Sequence, residues 1–351
     1  MPLTTTSLGA WPKPDGLPLR DWFQTDLGEE TYVEDVVNRA TDVMQSMGEE
    51  AKALFDKATE DIVRLQVDCG VDISSDGEMR RENYVHYHCR HLAGFDFSEL
   101  IKTVLREGAY NAFLPTIRGK VSAQAPFLPD DWRAAQAATD WPVKITMPGP
   151  MTIMDTTADA HYGDRRKLAA DLGDALNAEV LALAEAGCKY IQIDEPIFAR
   201  RPQDALDFGI EGLERCFHGL PAGVTKVMHM CCGYPNRLDN PDYPKADPDA
   251  YMQIAETLDG VADQVSIEDS HRHNPPELFE RFQKSSLIVG FIQIASSRVE
   301  SVEEIAGRMR EVLEFVPAER LIAAPDCGLG FLGRELAEVK VRDLCAAAKI
   351  V

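Results

Sequence analysis

The sequence predicts an α/β fold that closes as a single (β/α)8 TIM barrel. Eight short apolar segments rich in Val and Ile alternate with long amphipathic segments, no Ser/Gly-rich linker divides the chain, and 351 residues suit one barrel. Alternating strands and helices favour a parallel sheet, and eight such units favour its closure. An open doubly wound sheet is the alternative, but no Gly-x-Gly-x-x-Gly turn follows the first strand.

Each predicted strand is short and bounded by Gly, Pro, Asp or Ser. The eight strands are Leu3–Leu8, Val71–Ser75, Pro142–Met147, Lys189–Asp194, Thr225–Met230, Gln264–Glu268, Leu287–Ile294 and Arg320–Pro325.

The helices between them follow from apolar residues at helical spacing. Gly187 supplies a stop signal for one of them, and Ser301 with Glu304 forms the pattern of a capping box. The predicted helices are Glu49–Val67, Arg166–Ala186, Ser301–Phe315 and Arg334–Ile350.

Residues 86–140 fit no strand–helix unit. We expect them to form an excursion between the second and third strands that lies over the barrel mouth as a lid. The aromatic residues Phe95, Phe97 and Trp132 fall in this segment. Residues 1–351 are otherwise expected to form one domain.

Composition excludes several classes of partner. The 36 Lys and Arg against 58 Asp and Glu give a formal net charge of −22, which disfavours nucleic acid and anionic membranes. No apolar run is long enough to span a bilayer, and the first residues lack the basic start of a signal peptide. We therefore expect a cytoplasmic protein.

The eight cysteines are better explained by metal binding or burial than by disulfides, because disulfides are rare in cytoplasmic proteins. Cys188, Cys216 and Cys345 lie in or beside helical segments, and we interpret them as packing residues.

Polar residues at the strand ends predict a metal site, because the loops that follow the strands build the active site of such a barrel. His229 and Cys231 point the same way, since strand side chains alternate faces. Glu268 and Cys327, at two other strand ends, would complete a four-ligand set that suits Zn²⁺. A zinc ion with two thiolates and a carboxylate favours activation of a thiol over hydrolysis by water. Cys232 should point away, although it is the alternative ligand.

Each of these residues, taken alone, also has a purely structural interpretation. A His-x-Cys pair is often part of a core strand, and a strand-end Glu often pairs with a helix N-terminus. The joint occurrence of the four at successive strand ends is what favours a metal.

Short motifs in a fixed order make the chain resemble the catalytic barrel of the cobalamin-independent methionine synthase family, which belongs to the zinc-dependent thiol alkyltransferases. The motifs are Thr4-Thr5-Thr6 leading to Gly9, Asp76-Gly77-Glu78 with Arg81-Glu82-Asn83, Gly149-Pro150-x-Thr152, Ile191-Gln192-Ile193-Asp194-Glu195-Pro196, His229-Met230-Cys231, Ser266-Ile267-Glu268 and Pro325-Asp326-Cys327-Gly328-Leu329. Singly they are short, but as an ordered set over nearly the whole chain they are specific.

The resemblance implies Zn²⁺ on His229, Cys231, Glu268 and Cys327, and methyl transfer to the thiol of homocysteine or a close analogue. It also implies that Glu78 and Asp194 hold the amino group of that substrate. Two carboxylates around one buried ammonium are chemically reasonable. Structural roles at a strand end are the alternative for both.

Two positions depart from the family pattern. Ala10 replaces a Ser that contacts the substrate carboxylate, and Ala295 replaces a His that protonates the folate nitrogen. An amine leaves poorly unless it is protonated, so methyltetrahydrofolate is in doubt as the donor. Methylcobalamin on a corrinoid partner protein is an alternative donor that needs no acid.

His86, His88 and His91 form a cluster peculiar to this sequence. His86 and His88 could supply the missing proton donor or contact a second substrate. The alternative is a solvated or hydrogen-bonded helix rich in His.

Other functions remain open at this point. The thiol could be coenzyme M and the electrophile an epoxide, but its sulfonate would call for basic residues where Glu78 and Asp194 stand. A non-catalytic barrel that binds a thiol or a partner protein is a different class, supported only by Ala10 and Ala295. The related uroporphyrinogen decarboxylase barrel needs no metal, and the four ligands disfavour it.

Overall fold

The computed structural model describes residues 2–19, 48–105, 110–233, 238–240 and 243–351, with positions 37, 38, 40, 42, 43 and 46. Its strands, in chain order, are β1 (Thr4–Thr5), β2 (Ser74–Ser75), β3 (Leu92–Leu105), β4 (Tyr110–Ala123), β5 (Val143–Pro148), β6 (Ala158–Asp159), β7 (Tyr190–Asp194), β8 (Thr225–Met230), β9 (Gln264–Ile267), β10 (Ser286–Ile292) and β11 (Leu321–Pro325).

Eight parallel strands form the barrel wall, in the order β1-β11-β10-β9-β8-β7-β5-β2. The two ends of this sheet meet, because Thr6 forms a parallel bridge with Ile73. The Ile73 N–H donates to the Thr5 carbonyl at 3.1 Å, and the Ser7 N–H donates to the Ile73 carbonyl at 3.2 Å. The predicted (β/α)8 barrel is therefore confirmed.

The first two strands are shorter than predicted, spanning Thr4–Thr5 and Ser74–Ser75 in place of Leu3–Leu8 and Val71–Ser75. The carboxylate of Asp72 accepts hydrogen bonds from the Thr5 N–H at 2.8 Å and from the Thr5 hydroxyl at 2.9 Å. Asp72 thus takes a place that a strand partner would have filled. Thr225–Met230, by contrast, is a strand with the predicted bounds.

The described helices are Glu49–Cys69, Tyr84–Arg90, Leu128–Gln136, Pro150–Asp155, Arg165–Ala186, Pro196–Arg200, Pro202–Asp204, Ile210–Cys216, Ala250–Leu258, Pro276–Phe279, Val302–Leu313 and Arg334–Ile350. All four predicted helices are among them within two residues at each end. Gly187 ends its helix in the left-handed region with φ 112°. The Ser301–Glu304 capping box is present in both directions.

The excursion between the second and third barrel strands is confirmed, and its core is the antiparallel pair β3–β4. β4 packs against the helix Arg165–Ala186. The last part of the predicted segment, Leu128–Gln136, lies instead in the helical ring, where its Trp132 Nε1 donates to the Val143 carbonyl at 3.2 Å. That the excursion acts as a lid stays a prediction.

The three cysteines interpreted as packing residues are fully buried in the core. All eight cysteines are free thiols. None of the helices in the described part of the chain has the length and apolar character needed to cross a membrane.

Candidate metal centre and substrate pocket

Three of the four predicted ligands converge at the carboxyl ends of β8 and β11. The ligand atoms of His229, Cys231 and Cys327 all lie within 4.8 Å of one another. His229 Nε2 lies 3.4 Å from Cys327 Sγ. The opposite ring nitrogen, Nδ1, lies 2.9 Å from the hydroxyl of Ser266, the residue paired with His229 on the neighbouring strand. Ser266 therefore fixes the ring so that Nε2 faces the two sulfurs.

The fourth predicted ligand, Glu268, follows β9 and lies beside this trio. Its side chain is buried, and within the described residues neither carboxylate oxygen has a hydrogen-bond partner of normal geometry. Burial raises the pKa of Glu268, and the neighbouring Cys231 raises it further. A buried carboxylate without partners is costly unless a cation compensates it.

The two cysteine sulfurs differ in their tendency to ionise, and the contact with Cys231 raises the pKa of Cys327 well above its usual range. A hydrogen bond from Cys327 and the proximity of His229 hold the pKa of Cys231 well below its usual range. The thiolate is the form that binds metals. One imidazole, two sulfurs and one buried carboxylate thus offer the mixed donor set that Zn²⁺ accepts, and the residues fit this ion.

Cys232 lies on the other side of the strand and has its own partners. Its sulfur contacts the Tyr251 hydroxyl at 3.0 Å and accepts a hydrogen bond from Arg272 at 2.9 Å. Burial raises its pKa. These contacts favour Cys231 over Cys232 as the ligand, in agreement with strand alternation.

Glu78, the first predicted substrate contact, is buried at the end of β2 with a backbone φ of 57°. Its Oε1 accepts a hydrogen bond from the Thr146 hydroxyl at 2.8 Å and lies 3.5 Å from the Arg81 guanidinium. A Cβ on Gly9 would lie 2.5 Å from this oxygen, so Gly9 is required for the loop to approach it. Burial raises the pKa of Glu78 to about 7, against the opposing effect of Arg81.

Asp194, the second predicted contact, ends β7 and is paired in register with His229. Its Oδ1 accepts a hydrogen bond from Gln192 at 2.7 Å. Burial raises its pKa to about 6, while His229 and the buried Lys144 act in the opposite direction. Asp194 also raises the pKa of Glu78, so the two carboxylates are close enough to interact. A cation between them would relieve that repulsion.

The two departures from the family pattern both lie on loops that follow barrel strands. The Ala10 carbonyl accepts a hydrogen bond from Leu329 at 2.6 Å, which places position 10 against the loop that follows Cys327. Ala295 follows β10, and its carbonyl accepts a hydrogen bond from Asp239 at 2.9 Å. Neither side chain offers a polar group for a substrate or a leaving group.

The histidine cluster packs inside the protein. His86 and His88 are buried, and their rings contact the carbonyls of Thr156 and Tyr84. Burial lowers the pKa of both rings, to about 3 for His86. His91 stacks on Phe127 with ring centroids 4.0 Å apart. These contacts describe neutral, packed imidazoles, so a proton-donor role for His86 or His88 stays a prediction without support from them.

A comparison of the sequence with protein-family models shows to which family the chain belongs. The model described as "Cobalamin-independent synthase, Catalytic domain" matches residues 3–350. The chain belongs to this family. The family resemblance of the ordered motifs is thereby confirmed.

The chain is also similar to named proteins over most of their length. The methionine synthases of Sulfolobus acidocaldarius and Saccharolobus solfataricus are each 29% identical over 352 residues, which is 99% of this chain and 92% and 95% of those proteins. A solved B12-independent methionine synthase from Shewanella sp. W3-18-1, in complex with selenomethionine, is 32% identical. It has a TM-score of 0.85 and covers 100% of this chain and 98% of its own.

The sequence motifs included Ser266 and Asp326, but their supporting roles were not predicted. The role of Ser266 could have been found, because this residue lies two residues before Glu268 on the same strand face. The carboxylate of Asp326 accepts hydrogen bonds from the backbone of Asp269, Ser270 and His271. No local pattern in the sequence signals such a contact across 55 to 57 residues.

Proposed function

We propose that this protein is a zinc-dependent methyltransferase that methylates the thiol of homocysteine to form methionine. The observation that carries the proposal is the convergence of His229, Cys231 and Cys327 beside the buried carboxylate of Glu268, whose oxygens make no hydrogen bond of normal geometry to the described residues. Family membership supports it, as does the relative solved with selenomethionine, the selenium counterpart of the product.

Each residue near the centre has a role in this proposal. His229, Cys231, Glu268 and Cys327 would hold the zinc, which supplies a Lewis acid that lowers the pKa of the substrate thiol and keeps its sulfur nucleophilic. Ser266 orients His229 through the 2.9 Å contact at Nδ1. Metal-bound histidines are usually oriented in this way by a partner on the other ring nitrogen.

Glu78 and Asp194 would bind the substrate ammonium. Both carboxylates are buried, and both have pKa values raised by burial, so the free site disfavours two negative charges. An ammonium between them restores the ionised forms and gains charge-assisted hydrogen bonds. Because Asp194 pairs with His229, this contact would place the thiol end of the substrate toward the metal ligands.

Arg81 stabilises the pocket around Glu78 and is not one of the proposed metal ligands. Its fully buried guanidinium donates to the Thr146 carbonyl at 2.8 Å and to Asp76 at 3.0 Å. Arg81 thereby fixes the turn that carries Glu78 and partly offsets the charge of its carboxylate.

The methyl donor is the open part of the proposal. Ala295 cannot protonate an amine leaving group, so methyltetrahydrofolate would need an acid from elsewhere. The corrinoid partner raised by the sequence has no support from the family or its relatives. An epoxide with coenzyme M is disfavoured by Glu78 and Asp194, which would repel a sulfonate. A non-catalytic barrel is disfavoured by the convergence of His229, Cys231 and Cys327 with Glu268 beside them.

Metal analysis of purified protein is the first test. Wild type should contain about one zinc per chain. Cys231→Ser and Cys327→Ser should lose it, and the matched variant Cys232→Ser should keep it. Wild type without stoichiometric zinc would refute the metal assignment.

A matrix of donors and thiols is the second test. Methyltetrahydrofolate and methylcobalamin are each offered with homocysteine and with coenzyme M, and methylated product is measured. Methionine formed with either donor supports the proposal, and its absence with both refutes the proposed reaction. A zinc protein that makes no methionine would separate a correct metal site from a wrong substrate.

A further inference from the structure

His271 is a buried histidine beside the metal centre that neither the motifs nor the proposed reaction accounts for. Its side chain is 6% exposed. Its Nδ1 lies 3.3 Å from Glu268 Oε2 and 3.1 Å from Asp326 Oδ2. Its Nε2 is buried and, within the described residues, has no hydrogen-bond partner. One ring nitrogen therefore faces two carboxylates while the other faces none.

The two carboxylates belong to the two halves of the metal centre. Glu268 follows β9, and Asp326 directly precedes the ligand Cys327 after β11. Asp326 also accepts hydrogen bonds from the backbone N–H groups of Asp269 and Ser270, both at 2.9 Å, and of His271 at 3.2 Å. The imidazole thus joins a loop that carries one predicted ligand to a loop that carries another.

A second metal ion at this place is disfavoured. Glu268, His271 and Cys232 also bring three ligand atoms within 4.8 Å of one another. The Arg272 guanidinium, however, donates to the Cys232 sulfur at 2.9 Å. A cation bound there would meet this fixed positive charge at short range. The hydrogen-bonding role of His271 fits the surrounding charges better than a ligand role.

We propose that His271 is a positioning residue that holds the Glu268 loop against the Asp326–Cys327 loop, through the Nδ1 atom that hydrogen-bonds to Asp326 Oδ2 at 3.1 Å and lies 3.3 Å from Glu268 Oε2. This inference rests on the proposed function. A carboxylate ligand uses one oxygen on the metal, and an N–H donor on the other side fixes its rotation. Among the described residues the Glu268 oxygens have no hydrogen bond of normal geometry, and the 3.3 Å approach of His271 Nδ1 limits the rotation of this carboxylate.

The test measures zinc affinity by competition with a chelator in wild type and three variants. His271→Asn keeps an N–H near the position of Nδ1, His271→Gln places its amide near Nε2, and His271→Ala removes both. We expect His271→Ala and His271→Gln to lose about 10- to 100-fold in zinc affinity, and His271→Asn to stay within about threefold of wild type. His273→Asn is the matched control, because His273 is exposed in the same loop and has a φ of 48°, which Asn tolerates.

Cobalt substitution separates positioning from direct ligation. If His271 only positions Glu268, the visible spectrum of the Co²⁺ protein keeps the same coordination pattern in His271→Asn. Loss of that pattern in both Asn and Ala variants would make His271 a ligand and overturn the proposal. Thermal unfolding of the metal-free variants shows whether each one folds, and the Asn–Gln comparison remains decisive if the Ala variant does not.

Equal zinc affinity in wild type, His271→Gln and His271→Ala would also overturn the positioning role, as would a His271→Asn variant as weak as His271→Ala. These outcomes leave the proposed function intact, because wild type would still bind zinc. Wild type that binds no zinc, in contrast, would refute the proposed function itself.

Discussion

A close contact between Gly290 and Asp326, next to the candidate metal ligand Cys327, predicts that replacing Gly290 with Ala destabilises the protein. Gly290 lies in β10, where a Cβ would lie 2.2 Å from Asp326 Oδ1 and 2.6 Å from its Cα. The second distance involves backbone, so the clash cannot be relieved by rotating a side chain. Asp326 would have to retreat by about 1 Å, together with the adjacent Cys327.

The magnitude follows from what Asp326 holds. Overpacking of this kind usually costs about 1–3 kcal/mol. The displaced carboxylate would also weaken three backbone hydrogen bonds to residues 269–271, each contributing about 1 kcal/mol. We expect the free energy of unfolding to fall by about 3 kcal/mol, which lowers Tm by roughly 4 °C in a chain of this size. Zinc affinity should fall as well, because Cys327 and Glu268 move apart.

Differential scanning calorimetry and chelator competition measure the two effects on the same samples. Gly307→Ala is the control. Gly307 lies inside the helix Val302–Leu313, and a Cβ there would meet nothing within 4 Å. Ala at a helix interior should be neutral or stabilise by up to about 1 kcal/mol. A Gly290→Ala protein with the Tm and zinc affinity of wild type would refute the close approach and the role given to Asp326.

Three further predictions concern the substrate pocket. Glu78→Gln should raise KM for homocysteine by about 10- to 100-fold, because a charge-assisted hydrogen bond contributes about 1.5–3 kcal/mol. The KM for 4-sulfanylbutanoic acid, which lacks the amino group, should not change. Equal losses for both thiols would contradict ammonium binding. In wild type, kcat/KM for homocysteine should fall as pH is lowered through about 7, because the pKa of Glu78 is raised to about 7 and its protonated form cannot pair with an ammonium; a flat profile across that range would argue against this contact. Thr146→Val should move the same decline to higher pH, because it removes the hydroxyl that donates to Glu78 and lowers its pKa; an unchanged or lower midpoint would be the contrary result.

Regular elements were predictable because their signals are local. Strands such as Thr225–Met230 and helices such as Arg334–Ile350 were found with correct bounds. Apolar periodicity, caps and stop residues act within a few positions of the chain, and the same short-range forces shape the final element. The segment 86–140 was less predictable, because the assignment of Leu128–Gln136 to the helical ring depends on which helices it packs against.

The chemical types at the site were also predictable. Strand alternation indicated that His229 and Cys231 share a face and that Cys232 does not, and the contacts of these side chains agree. The position of Glu268 was predicted only to the level of its strand end. Its burial and its place between the ligand trio and His271 depend on contacts with other loops.

The sequence by itself determined the barrel, its order of strands and the donor atoms at the strand ends, because backbone pattern and side-chain chemistry are carried locally by each segment. Only the tertiary structure decided which groups meet. Ser266 behind His229, Asp326 across three backbone N–H groups, and the narrow space at Gly290 are contacts between strands far apart in the chain. Such contacts depend on closure of the sheet, which sets distances that no single stretch of residues encodes.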